Sequence, residues 1–256
     1  MAIEVFQFPC LKDNFGALVR DQASGAVASI DAPDGAAVLA AAAQKGWPLT
    51  HVLVTHHHMD HTQGLPDLKA ATPGLKVIGP AKEADRIAGL TQTASEGDEV
   101  RLGQAVARII ETPGHTAGHI VYHFADDATA FCGDTLFVMG CGRVLETPLA
   151  VMWHSLAKLA ALPAATVLYC GHEYTLANAK FALTVDPDNA DLRRRAEKVA
   201  KLREAGTATS PTTLAEELAT NPFLRVERSD IQATLGLGGA DPAAVFAEMR
   251  ARKDKF

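Results

Sequence analysis

The first third of the chain reads as short runs of β-forming residues, apolar and polar, separated by tight turns. Such runs predict strands. Glu4 to Phe8, Gly16 to Arg20 and Ala26 to Asp31 are β-rich runs, and Asp21 to Gly25 is turn chemistry, so the second and third runs should form a hairpin. Ala36 to Lys45 is alanine-rich, follows Pro33-Asp34-Gly35 and stops at Gly46, which predicts a helix. Thr50 to Val54 then reads as a buried strand. Further strands are expected at Lys76 to Ile78, Asp98 to Leu102, Ala105 to Glu111, His119 to Phe124, Thr129 to Cys132 and Thr166 to Cys170, with a helix over Pro148 to Leu162. Two rounds of β segments with helices between them predict a layered α/β sandwich.

Beyond Tyr174 the spacing of apolar residues becomes helical. Leu192, Ala196, Val199 and Leu202 mark a helix over Asn189 to Ala205, ended by Gly206. Thr213 to Ala219 predicts a short helix. Asp241-Pro242 is a helix start with an acidic cap and proline in the first turn. A boundary is therefore placed near residue 173, with a β-rich domain over 1–173 and a smaller helical one over 174–256.

Composition narrows the classes of partner. The 256 residues carry a net charge of −6, which argues against nucleic acid or an anionic membrane. No apolar run reaches the ~18 residues of a membrane span. The first residues, Met1-Ala2-Ile3-Glu4-Val5, lack a basic region followed by an apolar stretch, so no signal peptide is expected. Cys10, Cys132, Cys141 and Cys170 form no C-x-x-C pair and suggest buried thiols in a cytoplasmic protein.

Chemistry gathers where strands end. Val54 runs into Thr55-His56-His57-His58-Met59-Asp60-His61, the pattern H-x-H-x-D-H. His115 follows Thr112-Pro113-Gly114, Asp134 follows Gly133, and His172 follows Gly171. At each of these three places a glycine lets the backbone turn beside a ligand-type side chain. Imidazole nitrogen and carboxylate oxygen are ligands for zinc and similar ions. His56, His58, His61, His115 and His172 with Asp60 and Asp134 make seven groups, too many for one catalytic zinc with an open position. They suit two ions sharing a carboxylate. His57 is expected to point away, His119 to support the ligands by hydrogen bonding, and His51, His123 and His154 to be structural or solvent-facing.

H-x-H-x-D-H, P-G-H-T-x-G-H, G-D-T-L-F and G-H-E-Y-T together resemble the metallo-β-lactamase superfamily. Gly171 to Thr175, Asp13-Asn14-Phe15, Asn221 to Arg225 and Arg250 to Asp254 narrow the resemblance to its glyoxalase II, or hydroxyacylglutathione hydrolase, family. The resemblance implies a four-layer αββα sandwich over 1–173 followed by an all-α glutathione-binding domain over 174–256. It assigns His56, His58 and His115 to a first metal, Asp60, His61 and His172 to a second, and Asp134 to both. The metals would be zinc, or a mixture with iron or manganese. Arg143, Tyr174, Arg250 and Lys253 would bind the substrate. Leu145 stands where the family often has tyrosine. The implied reaction is hydrolysis of S-D-lactoylglutathione to glutathione and D-lactate, the second step of methylglyoxal detoxification. In it a hydroxide bridging the metals, positioned by Asp60 and Asp134, attacks the thioester carbonyl. A small-molecule glutathione thioester is then the partner, and the protein is expected to be a monomer. The alternative on the same scaffold is a single-iron glutathione-persulfide dioxygenase, which shares the Gly140-Cys141-Gly142-Arg143 loop. An RNA-processing hydrolase is disfavoured by the acidic charge, and a non-catalytic binding protein by the intact set of seven ligands.

Overall fold

A computed structural model describes residues 2–256. By density of contacts the chain divides into two compact units. The first runs to Glu111 and includes Thr116–Gly133; the second is Thr112–His115 with Asp134–Phe256.

In the first unit, β1 (Ile3–Cys10), β2 (Asn14–Asp21) and β3 (Val27–Ile30) form an antiparallel meander. After α1 (Gly35–Lys45), β4 (His51–Leu53) joins the sheet parallel to β3. The short α2 (Met59–Thr62) and α3 (Leu65–Ala71) follow. Then β5 (Lys76–Pro80) and β6 (Gln92–Ala94) extend the parallel half, giving the order β1-β2-β3-β4-β5-β6. The expected hairpin between the second and third strands is present, with Gly25 at φ 77° in its turn.

The ends of α1 follow from its sequence. Asp34 caps α1 by accepting from Ala37 N, and Gly46 ends it at φ 65°. Val38 and Ala41 of α1 with Leu65 and Leu68 of α3 pack on Leu18, Val27, Val52 and Val77 of the sheet. Val52 and Val77 thus face the helices, so His51 and Leu53 face the opposite side.

The other strands of this unit, β7 (Glu99–Leu102), β8 (Ala105–Glu111), β9 (Ile120–Phe124) and β10 (Thr129–Phe131), make a second antiparallel meander. Tyr122 of β9, fully buried, donates its hydroxyl to the Val54 and Ile78 carbonyls at 2.9 and 3.1 Å. That contact ties one sheet to the other.

The second unit opens with a two-stranded hairpin of β11 (Leu136–Phe137) and β12 (Gly140–Cys141). Next come α4 (Leu149–Ala160), β13 (Val167–Tyr169), α5 (Thr175–Val185) and α6 (Ala190–Glu204). They are followed by β14 (Thr212–Thr213), α7 (Leu214–Thr220), α8 (Ser229–Leu235) and α9 (Pro242–Lys255). Asn189 caps α6 and Asp241 caps α9, as their sequences predict. Two features differ from the expectation that strands stop at Tyr174. Thr212–Thr213 pairs with Val167–Leu168, a bridge too short to leave a period in the sequence. The helices α5 and α8 carry weak apolar periods and were not anticipated.

The helices of this unit hold the β11–β12 hairpin. Asn178 Nδ2 of α5 donates to the Val138 carbonyl at 3.1 Å. Asn221 Nδ2, just after α7, donates to the Gly140 carbonyl at 2.9 Å, and Glu217 Oε2 accepts from Met139 N at 2.9 Å. Arg195 of α6 pairs with fully buried Glu217 at 2.6 Å. Arg250 of α9 donates to the Cys141 carbonyl at 3.1 Å. Among the described residues no helix is long and apolar enough to cross a membrane.

Candidate metal centre

The described residues include groups of His and Asp able to hold a metal ion. In the first unit, β4 delivers Thr55 and His56 at its end. Both are fully buried. Gly133 makes room for them: it holds φ 47°, and a Cβ there would lie 2.7 Å from Thr55 Oγ1 and 2.6 Å from His119 Nε2. His119 stacks on His56 with ring centroids 4.9 Å apart.

Hydrogen bonds fix which ring nitrogens face outward to a ligand. Asp31 Oδ2 lies 2.8 Å from His61 Nδ1, and a carboxylate can only accept, so Nδ1 carries the proton and Nε2 the lone pair. Asp31 also accepts from Thr55 N at 2.7 Å and from Thr55 Oγ1 at 2.9 Å. The Thr55 hydroxyl proton is thereby used, so the 3.0 Å contact with His56 must be donated by His56 Nδ1. His56 Nε2 is then a lone pair too, 3.1 Å from His58 Nδ1. His61 Nε2 lies 3.7 Å from Asp60 Oδ2. Asn14 Nδ2 steadies Asp60 through its backbone and carboxylate oxygens, both at 3.1 Å.

In the second unit, His115 Nδ1 lies 2.9 Å from the Arg143 carbonyl, which again assigns the proton to Nδ1 and the lone pair to Nε2. His115 Nε2 and His172 Nε2 stand 3.4 and 3.3 Å from the same oxygen, Asp134 Oδ2. The loop that carries Arg143 crosses Asp134 so closely that a Cβ on Gly142 would fall 2.0 Å from the Asp134 carbonyl oxygen, so only glycine fits there.

These separations fit a bound ion. Two ligands with ~2.0–2.1 Å bonds to a tetrahedral ion stand roughly 3.3 Å apart. The donor set is borderline-hard nitrogen and oxygen, suited to zinc, iron or manganese. Histidine ligands also usually give their second nitrogen to a carboxylate or carbonyl. His61 and His115 do so here.

The residues expected to bind substrate lie in the second unit. Tyr174 stacks on His172, with centroids 4.8 Å apart and rings 3° from parallel, and is 39% exposed. Arg143 is exposed at the tip of its loop. Arg250 is only 4% exposed, so it is not part of a solvated basic turn. Its guanidinium binds the Cys141 carbonyl and Asp254. Lys253 donates to the Ala177 carbonyl at 3.0 Å and lies over the Phe181 and Phe256 rings. Burial, with Arg250 beside it, pulls the Lys253 ammonium down to about 8. Burial pushes the Cys141 thiol up to about 11, so it stays protonated and unreactive at neutral pH.

Two supporting carboxylates, Asp31 and Glu83, emerge only from the structure. Asp31 follows the apolar strand β3 directly, the same placement that marks the ligands, and that was the available signal. Glu83 lies in an unremarkable polar stretch. It is 2% exposed and accepts from His57 N and Gly118 N at 2.7 and 2.8 Å, and its Oε2 lies 2.8 Å from His57 Nδ1. His57 is thus directed at Glu83.

Residues 21–172 match the family model described as metallo-beta-lactamase superfamily. Residues 173–256 match the model described as hydroxyacylglutathione hydrolase C-terminus. A hydroxyacylglutathione hydrolase of Chelativorans sp. (strain BNC1) is 52% identical over 256 residues, all of both chains. That of Rhodospirillum rubrum is 53% identical over 254 residues, 99% of each chain. The chain belongs to the hydroxyacylglutathione hydrolase family.

Solved structures agree on the fold. The B3 metallo-beta-lactamase BLEG-1 superposes with a TM-score of 0.67 at 18% identity, covering 86% of this chain and 99% of its own. The ETHE1 protein of Myxococcus xanthus gives 0.66 at 27% identity, covering 99% and 98%. The metallo-β-lactamase fold expected from the motifs is therefore present, followed by the helical region of the hydroxyacylglutathione hydrolases. The single-iron alternative gains less support, because the relatives matched along the whole chain at about half identity are named as the hydrolase.

Proposed function

We propose that this chain hydrolyses S-(2-hydroxyacyl)glutathione, chiefly S-D-lactoylglutathione, to glutathione and D-lactate. The observation that carries the reading is identity of 52% to a hydroxyacylglutathione hydrolase along the full chain. His56, His58 and His115 are assigned to one divalent ion, Asp60, His61 and His172 to a second, and Asp134 to both. When bound, such ions lower the pKa of water and polarise a carbonyl oxygen. The protein's own groups do the rest. Asp60, steadied by Asn14, and Asp134 orient the attacking water, and Asp60 accepts its proton. The leaving thiolate, with an ordinary pKa of ~8.5, departs without a strong acid.

Glutathione brings two carboxylates to a protein of net charge −6, so local cations must receive them. Arg143, Lys253 and Arg250 are assigned that role, with Tyr174 packing beside the thioester. Buried thiols at all four cysteines support a cytoplasmic setting, and the chain is proposed to act as a monomer.

The test is a steady-state assay with S-D-lactoylglutathione on protein whose metals have been counted. Two divalent ions per chain and a kcat/KM of at least ~10⁴ M⁻¹s⁻¹ are expected. One iron per chain, with oxygen consumed on glutathione persulfide, would overturn the reading.

Lys253 gives a separate prediction. Its cationic form is lost as pH rises through about 8, so KM for glutathione thioesters should climb above that pH while kcat stays level. Lys253→Arg, charged throughout this range, should flatten the rise. A pH-independent KM in the native chain would remove Lys253 from substrate binding.

A further inference from the structure

At the start of β4, the opposite end of the strand that delivers His56, the first unit has an open concavity of about 610 Å³. Leu49, Thr50, His51, Pro73, Lys76 and Arg101 are among its lining residues. The catalytic reading uses none of them. We propose that this concavity binds an organic phosphate monoester, with the phosphate held by His51 Nε2, Lys76 and Arg101.

The argument starts from His51, which is 7% exposed. Its Nδ1 lies 2.7 Å from Thr50 Oγ1. That hydroxyl donates its single proton to the Val27 carbonyl at 2.8 Å and accepts from Val27 N at 3.0 Å. The proton between Thr50 and His51 must therefore belong to Nδ1. Nε2 is left as a lone pair on the ring edge turned away from Thr50, on a residue that lines the concavity.

Two cations share this wall. His51 and Lys76 are register partners on the parallel neighbours β4 and β5, so their side chains lie side by side on one face. Arg101 comes from β7 of the second meander. Burial and the Lys76 charge hold the His51 imidazole below its ordinary pKa, so it is a neutral acceptor at pH 7. The other charged groups around the concavity are already occupied. Asp21 accepts from Ser24 N and Gln104 N, and Glu99 pairs with Arg101 at 3.7 Å in an exposed, weak contact.

Two cations and one imidazole acceptor ask for an anion that can also share a proton. A phosphate monoester meets this: below its second pKa of ~6 it keeps an O–H for His51 Nε2, and above it the dianion draws a proton onto Nε2, while Lys76 and Arg101 take the charge. A carboxylate brings charge without the proton. The space also exceeds a bare phosphate and falls in the range of sites for small organic ligands. The organic remainder would lie against Leu49 and Pro73.

The experiment follows the His51 imidazole by nitrogen-15 NMR in the zinc-loaded full-length protein. Glycerol 3-phosphate, inorganic phosphate and acetate are each titrated to about 10 mM, a range that detects millimolar affinity. Glycerol 3-phosphate should shift Nε2 and raise the His51 titration midpoint by about one pH unit. Inorganic phosphate should act at several-fold higher concentration and acetate not at all. Lys76→Met with Arg101→Met should abolish the shift and leave thioester turnover unchanged. The proposal is overturned by an unmoved His51 signal, by a shift that survives the double substitution, or by equal responses to ester and inorganic phosphate. None of these outcomes bears on the hydrolase reading, which is measured by turnover.

Discussion

Asp134→Ala should leave a folded protein that has lost bound metal and on the order of 10³-fold or more of its turnover. Losing even a residue that merely supports a ligand costs 10–100-fold, and Asp134 is assigned as a ligand itself. Its Oδ2 stands 3.3–3.4 Å from the Nε2 atoms of both His115 and His172, so one oxygen serves two imidazoles. Alanine leaves those two imidazoles without the anion they share. The fold around the position has other supports: Thr135 Oγ1 still donates to Thr112 Oγ1 at 2.9 Å, and Gly142 N still reaches the Thr135 carbonyl at 3.2 Å. Metal counting by mass spectrometry and a steady-state assay decide the matter. A variant with its full metal content and native turnover would sink the shared-carboxylate assignment.

Asp31→Asn should have the second-largest effect, although Asp31 is not itself an assigned metal ligand. Its carboxylate accepts three protons, from Thr55 N, Thr55 Oγ1 and His61 Nδ1. An asparagine offers one acceptor oxygen and turns its own N–H groups toward the remaining donors. Leaving a buried donor unsatisfied costs about 1–3 kcal/mol, and a lower melting temperature should show it. His61 would also lose the bond that fixes its tautomer and ring angle. Metal affinity should fall about 10–100-fold, read as faster metal loss to a chelator. Because Asp31 acts through His61, excess zinc should restore most of kcat. Chelator resistance equal to the native protein would show that His61 needs no such support.

Strands, helix caps and assigned ligands were legible because each leaves a local mark. An apolar run breaks at a glycine, and the next polar side chain is placed at a strand end. Gly133 before Asp134 and Gly171 before His172 are of this kind. Asp31 was less legible because no glycine accompanies it; the aspartate itself adopts φ 57°. Glu83 left no mark, since its partners His57 and Gly118 are 26 and 35 residues away. Arg250 was seen as a basic residue on a helix face, and only packing shows that its guanidinium is buried on the Cys141 carbonyl. Spacing reports which side chains share a face; it does not report how deep that face lies.

The hairpin of Leu136–Phe137 and Gly140–Cys141 has one last consequence. It is two residues wide and has little cohesion of its own. Its carbonyls and amides are held instead by Asn178, Glu217, Asn221 and Arg250, spread over more than seventy residues of sequence. Breaking one of these bonds leaves the other three in place. The hairpin therefore cannot open as a loop opens, by fraying from its tip. It exchanges its amides with solvent only when several helices let go together, so the segment following Asp134 inherits the cooperativity of the helical region.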